Sequence, residues 1–149
     1  SLDLQYTSEG WLWKFEGIYH DGSFEAPYWA LTGGFEYTFI GVINAIDIGV
    51  LTEYLYDDRG KSFLSPFQNE IFMGSRISFN DENSSEILLG GFVDLDFGSM
   101  LYRLEASTRV WENYKLEIEG NFFVNIDPDD VFINFSRDDN VQLQLSYFF

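Results

Sequence analysis

From Leu2 to Phe149 the chain alternates apolar and polar residues with period two, and no 3.6-residue periodicity is sustained. Side chains on a strand point to opposite faces in turn, so the pattern predicts strands throughout. Nine segments follow from it: Leu2 to Thr7, Trp11 to His20, Tyr28 to Ile40, Ala45 to Tyr56, Gln68 to Asn80, Glu86 to Asp96, Met100 to Trp111, Tyr114 to Val124 and Val141 to Phe149. Turn residues separate them, as at Ser8-Glu9-Gly10, Asp81-Glu82-Asn83-Ser84 and Glu112-Asn113. Pro27, Pro66 and Pro128 all fall between segments, where proline removes no ladder hydrogen bond. No composition shift or internal repeat divides the chain, so residues 1–149 read as a single domain.

Sorting each segment by face separates two chemistries. One face carries Trp11, Trp13, Phe15, Trp29, Leu31, Phe35, Tyr37, Ile48, Val50, Tyr54, Ile71, Met73, Leu89, Tyr102, Leu116, Ile118, Leu143 and Tyr147, with no charge among them. The other carries Lys14, Glu16, Glu36, Asp47, Glu53, Arg76, Asp94, Arg103, Glu105, Arg109, Lys115, Glu117 and Glu119. A Lys or Arg facing lipid at mid-bilayer costs ~2–4 kcal/mol, so hydrocarbon selects a charge-free face. Aromatics near strand ends suit the membrane interfaces, where an apolar ring body and a polar tip both find a match. A soluble barrel of the lipocalin type would instead turn these large rings into a narrow lumen. The expected fold is therefore all-β, an antiparallel up-and-down transmembrane β-barrel with about 8–10 strands in this chain.

Composition narrows the function classes. Aromatic residues make up 19% of the chain and the net charge is −17, from 25 acidic against 8 basic residues. Such a charge repels phosphate backbones, so nucleic acid is not an expected partner. There is no cysteine, hence neither a disulfide framework nor a thiolate metal site. No apolar run reaches the ~20 residues of a membrane-spanning helix.

Loop lengths set the expected orientation. With the end of the last strand on the periplasmic side, the turns at Glu112-Asn113, Asp81 to Ser84, Ile43-Asn44 and Ser8 to Gly10 share that side. The longer connections Asn125 to Asn140, Asp57 to Phe67 and Asp21 to Pro27 become extracellular, with Phe97-Gly98-Ser99 the only short one on that side, the asymmetry of outer-membrane barrels. Nine strands is an odd count where single-chain bacterial barrels have an even one. Residues 1–149 are therefore expected to be the C-terminal part of a larger barrel, or an eight-stranded barrel with a lead-in segment.

The closing segment Val141-Gln142-Leu143-Gln144-Leu145-Ser146-Tyr147-Phe148-Phe149 resembles the C-terminal strand signal of Gram-negative outer-membrane β-barrels of the porin-like kind. In that class alternating apolar residues lead to a terminal aromatic. The resemblance implies that Val141, Leu143, Leu145, Tyr147 and Phe149 form the assembly signal read by the barrel-assembly machinery, and it implies residence in the cell outer membrane among its lipids. It implies no substrate.

The polar face carries the expected function, a passive channel whose acidic wall favours cations. The alternative is a barrel plugged by its own salt bridges, acting as a structural anchor or binding a partner through its outer loops. Upstream strands or a protein partner could complete the wall. Arg103, Glu105 and Arg109 are expected to face Glu117 and Glu119 in a cross-strand ion network. Acid–base chemistry by Glu117 and Glu119, or a hydrolytic site at His20, Asp21 and Ser23, has only spacing in its favour, so no catalytic residues are assigned. Asp127, Asp129, Asp130, Asp138 and Asp139 lack the spacing of a calcium loop, and no metal or cofactor is expected. The pairs Gly33-Gly34 and Gly90-Gly91 are expected to relieve crowding in a curved wall.

Overall fold

A computed structural model describes residues 1–22, 26–60 and 68–149. Nine antiparallel strands form one up-and-down sheet: β1 (Leu2–Ser8), β2 (Trp11–His20), β3 (Tyr28–Ile43), β4 (Ile46–Asp57), β5 (Asn69–Ser78), β6 (Glu86–Asp94), β7 (Met100–Trp111), β8 (Tyr114–Val124) and β9 (Asn140–Tyr147). The only helical element among the described residues is a 3₁₀ turn, Val131–Phe135, in the β8–β9 connection. The expected loops Asp21 to Pro27 and Asp57 to Phe67 lie partly outside the described residues, as do Ser23 and Pro66.

Each hairpin has a local cause. Glu9 and Gly10 both adopt positive φ, at 50° and 86°, as the two central residues of a type I′ turn must. The β3–β4 turn is Asn44-Ala45, with Asn44 at φ 56°, one residue beyond the expected Ile43-Asn44. That shift arises because β3 runs on past Phe39 through an irregularity at Gly41, φ 63°, before Ile43 pairs with Ile46. A second register shift lies between Arg109 and Trp111.

The register keeps the two faces distinct from edge to edge. Tyr6 opposes Trp13, Trp13 opposes Phe35, Phe35 opposes Thr52 and Thr52 opposes Met73. Farther along, Leu89 opposes Leu104, Ala106 opposes Ile118 and Ile118 opposes Leu143. No hydrophobic residue of the described chain is buried. The chain exposes 10405 Å², against about 7,800 Å² for a compact soluble protein of its mass.

The sheet curls so that its polar face is concave. A hollow of about 690 Å³ is lined by residues of β3 through β8, among them Glu36, Arg76, Leu88, Arg103, Glu105 and Asn121. The sheet does not close, however. β1 and β9 are its two edges and are not hydrogen-bonded to each other. In a nine-stranded up-and-down order these edges run in the same direction, so the antiparallel closure expected for a barrel is not open to them.

Candidate functional site

The register puts the thirteen charged residues picked out from the sequence on one side of the sheet, and Glu36, Asp47, Arg76, Arg103 and Glu105 among them line the hollow. Five cations and eight carboxylates occupy that side, and the register fixes which of them meet. Arg103 on β7 donates through Nε to Glu105 Oε1 at 2.5 Å and through Nη2 to Glu119 Oε1 on β8 at 3.0 Å. Its Nη1 reaches Asn121 Oδ1 at 3.3 Å. Lys115 Nζ lies 2.7 Å from Glu117 Oε1, Arg76 Nε lies 2.9 Å from Glu86 Oε1, and Lys14 Nζ lies 3.8 Å from Glu36 Oε2. These side chains remain a third or more exposed, so each pair contributes no more than ~1 kcal/mol.

Other members of the set do different work. Arg109 directly opposes Lys115, a like-charge placement, and makes no ion pair among the described residues; its backbone N–H donates to Asn83 O at 2.9 Å. Asp47 Oδ1 accepts from the Gly41 N–H at 2.8 Å and its Oδ2 from Asn80 Nδ2 at 2.7 Å, pinning the irregular end of β3. Asp94 Oδ1 accepts from the N–H groups of Asp96 and Phe97 at 2.7 and 2.8 Å, holding the β6–β7 turn. Glu16 opposes Asp3 and Thr32, and Glu53 opposes Gly34 and Phe72.

A search for charge alone misses the second tier of this face. Toward the end bearing the long loops, Phe72, Phe92, Leu101 and Phe123 share the polar side, with Phe72 opposite Phe92 and Leu101 opposite Phe123. The Phe72 and Phe92 ring centroids are 4.8 Å apart. Phe72 lies flat against the wall, because a Cβ on Gly74 or Gly90 would meet its ring at 3.1 or 3.3 Å. On the opposite face the Tyr102 ring covers Gly91, where a Cβ would come within 2.7 Å. Here glycine makes room for a neighbouring ring, the relief of crowding expected of the Gly90-Gly91 pair.

The β8–β9 connection packs onto this apolar tier. Phe135 stacks on Phe123 at 6.1 Å, and Phe132 and Ile126 line a small void with Phe92, Leu101, Glu70 and Asp94. Asp139 Oδ1 accepts from the Phe123 N–H at 2.7 Å, and Ser99 Oγ accepts from the Asp127 N–H at 3.1 Å. Asp130 Oδ1 caps the 3₁₀ turn through the Phe132 N–H at 2.9 Å. Glu70, Asp94 and Asp130 are buried together here, and among the described residues Glu70 Oε2 and Asp130 Oδ2 have no hydrogen-bond partner. Sequence spacing could not find this cluster, since its members come from three separate elements.

The remaining candidates sit apart. The His20 ring packs on Tyr28, with centroids 5.2 Å apart, and Ser23 lies outside the described residues. Among the described residues no three His, Cys, Asp or Glu side chains are placed to hold a metal ion. Asp129 donates its N–H to Asp127 Oδ1 at 2.9 Å, so that loop acid serves its own backbone. Val141, Leu143, Leu145 and Tyr147 stand exposed on the apolar side of β9, and Phe149 follows the strand with its ring 6.3 Å from Tyr147. Comparison with protein-family models, with curated proteins and with solved structures finds no match to this chain.

Proposed function

We propose that the sheet is the wall of an integral outer-membrane β-barrel, and that the barrel is a porin-like passive channel whose acidic lumen favours cations. The direction of curl carries this reading. A soluble sheet curls around its apolar face; this one curls around its charged face and leaves the apolar face convex and exposed. A hydrocarbon surround makes that arrangement favourable, whereas water would meet the exposed Trp13, Trp29, Phe39, Met73, Leu143 and Leu145 at a cost of about 25 cal/mol per Å² of apolar surface.

The spacing of aromatics supports the same reading. At the tight-turn end, Trp11 packs on Tyr37 at 4.6 Å, and Tyr114 on Tyr147 at 5.0 Å. At the loop end, Tyr19 packs on Trp29 at 4.6 Å. Along β3, Trp29 and Tyr37 belong to opposite bands and are eight residues apart. At ~3.3 Å per residue they are separated by about 26 Å of strand, which at a tilt of ~40° spans about 20 Å across the membrane, against an apolar band of about 25 Å in outer-membrane barrels.

A second reading has its own observation. The ion pairs, the apolar tier at Phe72 and Phe92, and the β8–β9 connection packed on Phe123 all narrow the hollow. A non-conducting barrel serving as an anchor or partner-binding element is consistent with them. Purified protein in a planar bilayer separates the two. Discrete conductance steps with a cation-selective reversal potential support the channel, and their absence in protein shown to be inserted supports the anchor.

A further inference from the structure

The two edges of the sheet are built to be paired. Natural edge strands carry guards against pairing: lysine, proline, a bulge or an inward charge. β1 reads Leu-Asp-Leu-Gln-Tyr-Thr-Ser and β9 reads Asn-Val-Gln-Leu-Gln-Leu-Ser-Tyr, with no lysine or proline in either, and their one charge, Asp3, lies on the polar side opposite Glu16, where it leaves the apolar side of the edge unguarded. Their registers with β2 and β8 run without a shift. Both continue the two-faced pattern to the rim, with Leu2, Leu4 and Tyr6 on one edge and Val141, Leu143 and Leu145 on the other, all exposed on the apolar side. Within hydrocarbon each unpaired backbone group costs several kcal/mol, so open edges do not persist there.

Direction decides what can pair with them. β1 and β9 run the same way, so direct closure would be a parallel seam. A second copy inserted in the same orientation offers β1 to β9, which is also parallel. Resting on the membrane-barrel reading, we infer that an odd number of further antiparallel strands joins the β9 edge to the β1 edge. These strands would be apolar on the convex side and polar on the concave side, and the completed wall would hold an even number.

Cross-linking in the native membrane tests this. Photoreactive residues replace Gln5 on β1 and Gln144 on β9. In parallel, Leu4→Cys is combined in turn with V141C, L143C and L145C. The expected result is photo-cross-links from both edges to alternating segments outside β1–β9, with no disulfide between the edges. A product of unchanged mass places those segments in the same polypeptide, and a heavier product places them in another chain. A disulfide between β1 and β9 within one chain, a disulfide-linked dimer of this chain, or no cross-link from either edge would each overturn the inference. Extraction by a high-pH wash is scored separately: release from the membrane removes the barrel reading itself, whereas retention with a β1–β9 disulfide removes only the odd-strand seam.

Discussion

Arg103 and Glu119 meet across the β7–β8 hairpin, Nη2 to Oε1 at 3.0 Å, while the same guanidinium holds Glu105. One cation thus neutralises part of an acidic patch on a wall that is acidic elsewhere. Arg103→Gln should make the wall more acidic and raise cation selectivity, read as a larger reversal potential under a salt gradient. Because the pair is half exposed, the accompanying loss of stability should stay below ~1 kcal/mol. A large stability loss with unchanged selectivity would show that the pair braces a closed plug.

Val50 and Leu51 are neighbours in β4 that face opposite ways. Val50 opposes Tyr37 and Ser75 on the convex side, and Leu51 opposes Glu36 and Gly74 on the concave side. Val50→Arg should cost about 2–4 kcal/mol of folding stability in lipid. Leu51→Arg should cost far less and shift ion selectivity toward anions. Urea titration of folding into bilayers compares the two, and equal costs would contradict the assignment of faces.

Gly34 and Gly17 test close approach. A Cβ at Gly34 would sit 2.2 Å from the Thr52 carbonyl oxygen, a backbone atom that cannot yield without opening the ladder. At Gly17 the nearest atom is the Phe15 ring at 3.5 Å, an ordinary contact. Gly34→Ala should therefore destabilise by at least ~2 kcal/mol, and Gly17→Ala should be close to neutral. The comparison is made on the same refolding titration.

Glu70 is a buried carboxylate whose Oε1 accepts from the Gln68 N–H at 2.7 Å, while its Oε2 has no hydrogen-bond partner among the described residues and Asp94 stands directly opposite. Glu70→Gln keeps the acceptor and removes a charge from this site. It should stabilise the fold by about 1 kcal/mol. Destabilisation instead would mean that the carboxylate balances a positive group.

Asp81 lies in the β5–β6 turn, where the Ser85 N–H and hydroxyl donate to its two oxygens at 2.7 and 2.8 Å. Those bonds, the backbone one foremost, hold its carboxyl below the usual carboxylate range. A depressed folded value contributes stability that is present above the unfolded value near ~3.9 and is lost as pH falls through the folded one. Asp81→Ala should therefore lower the urea midpoint at neutral pH, with the difference from the parent shrinking toward pH ~2. A difference independent of pH would locate the effect in the turn backbone.

Much of the sheet was legible because period two is a local signal. The bounds of β2, β7 and β8 coincide with the alternation, which runs to each turn with a single irregularity, between Arg109 and Trp111 in β7. Legibility failed where a distant residue decides. β3 runs beyond Ile40 because Asp47, across the hairpin, holds Gly41. The 3₁₀ turn at Val131–Phe135 rests on the Asp130 cap and on Phe123, not on helical periodicity. On the polar face, charge was readable and the apolar tier was not: Phe72, Phe92, Leu101 and Phe123 lie on four strands, and only the register brings them level. Closure was the least legible feature, since it depends on how edges find partners and not on any one strand.

The Phe72 ring spans two strands, lying over Gly74 of β5 and Gly90 of β6. It can settle only where both glycines are level with it. A one-residue slip of β6 in one direction would bring Leu89 under the ring, and a slip either way would turn the whole strand inside out. Phe72 therefore proofreads the β5–β6 pairing against slip toward Leu89, like a key that seats only when both parts of the lock are aligned.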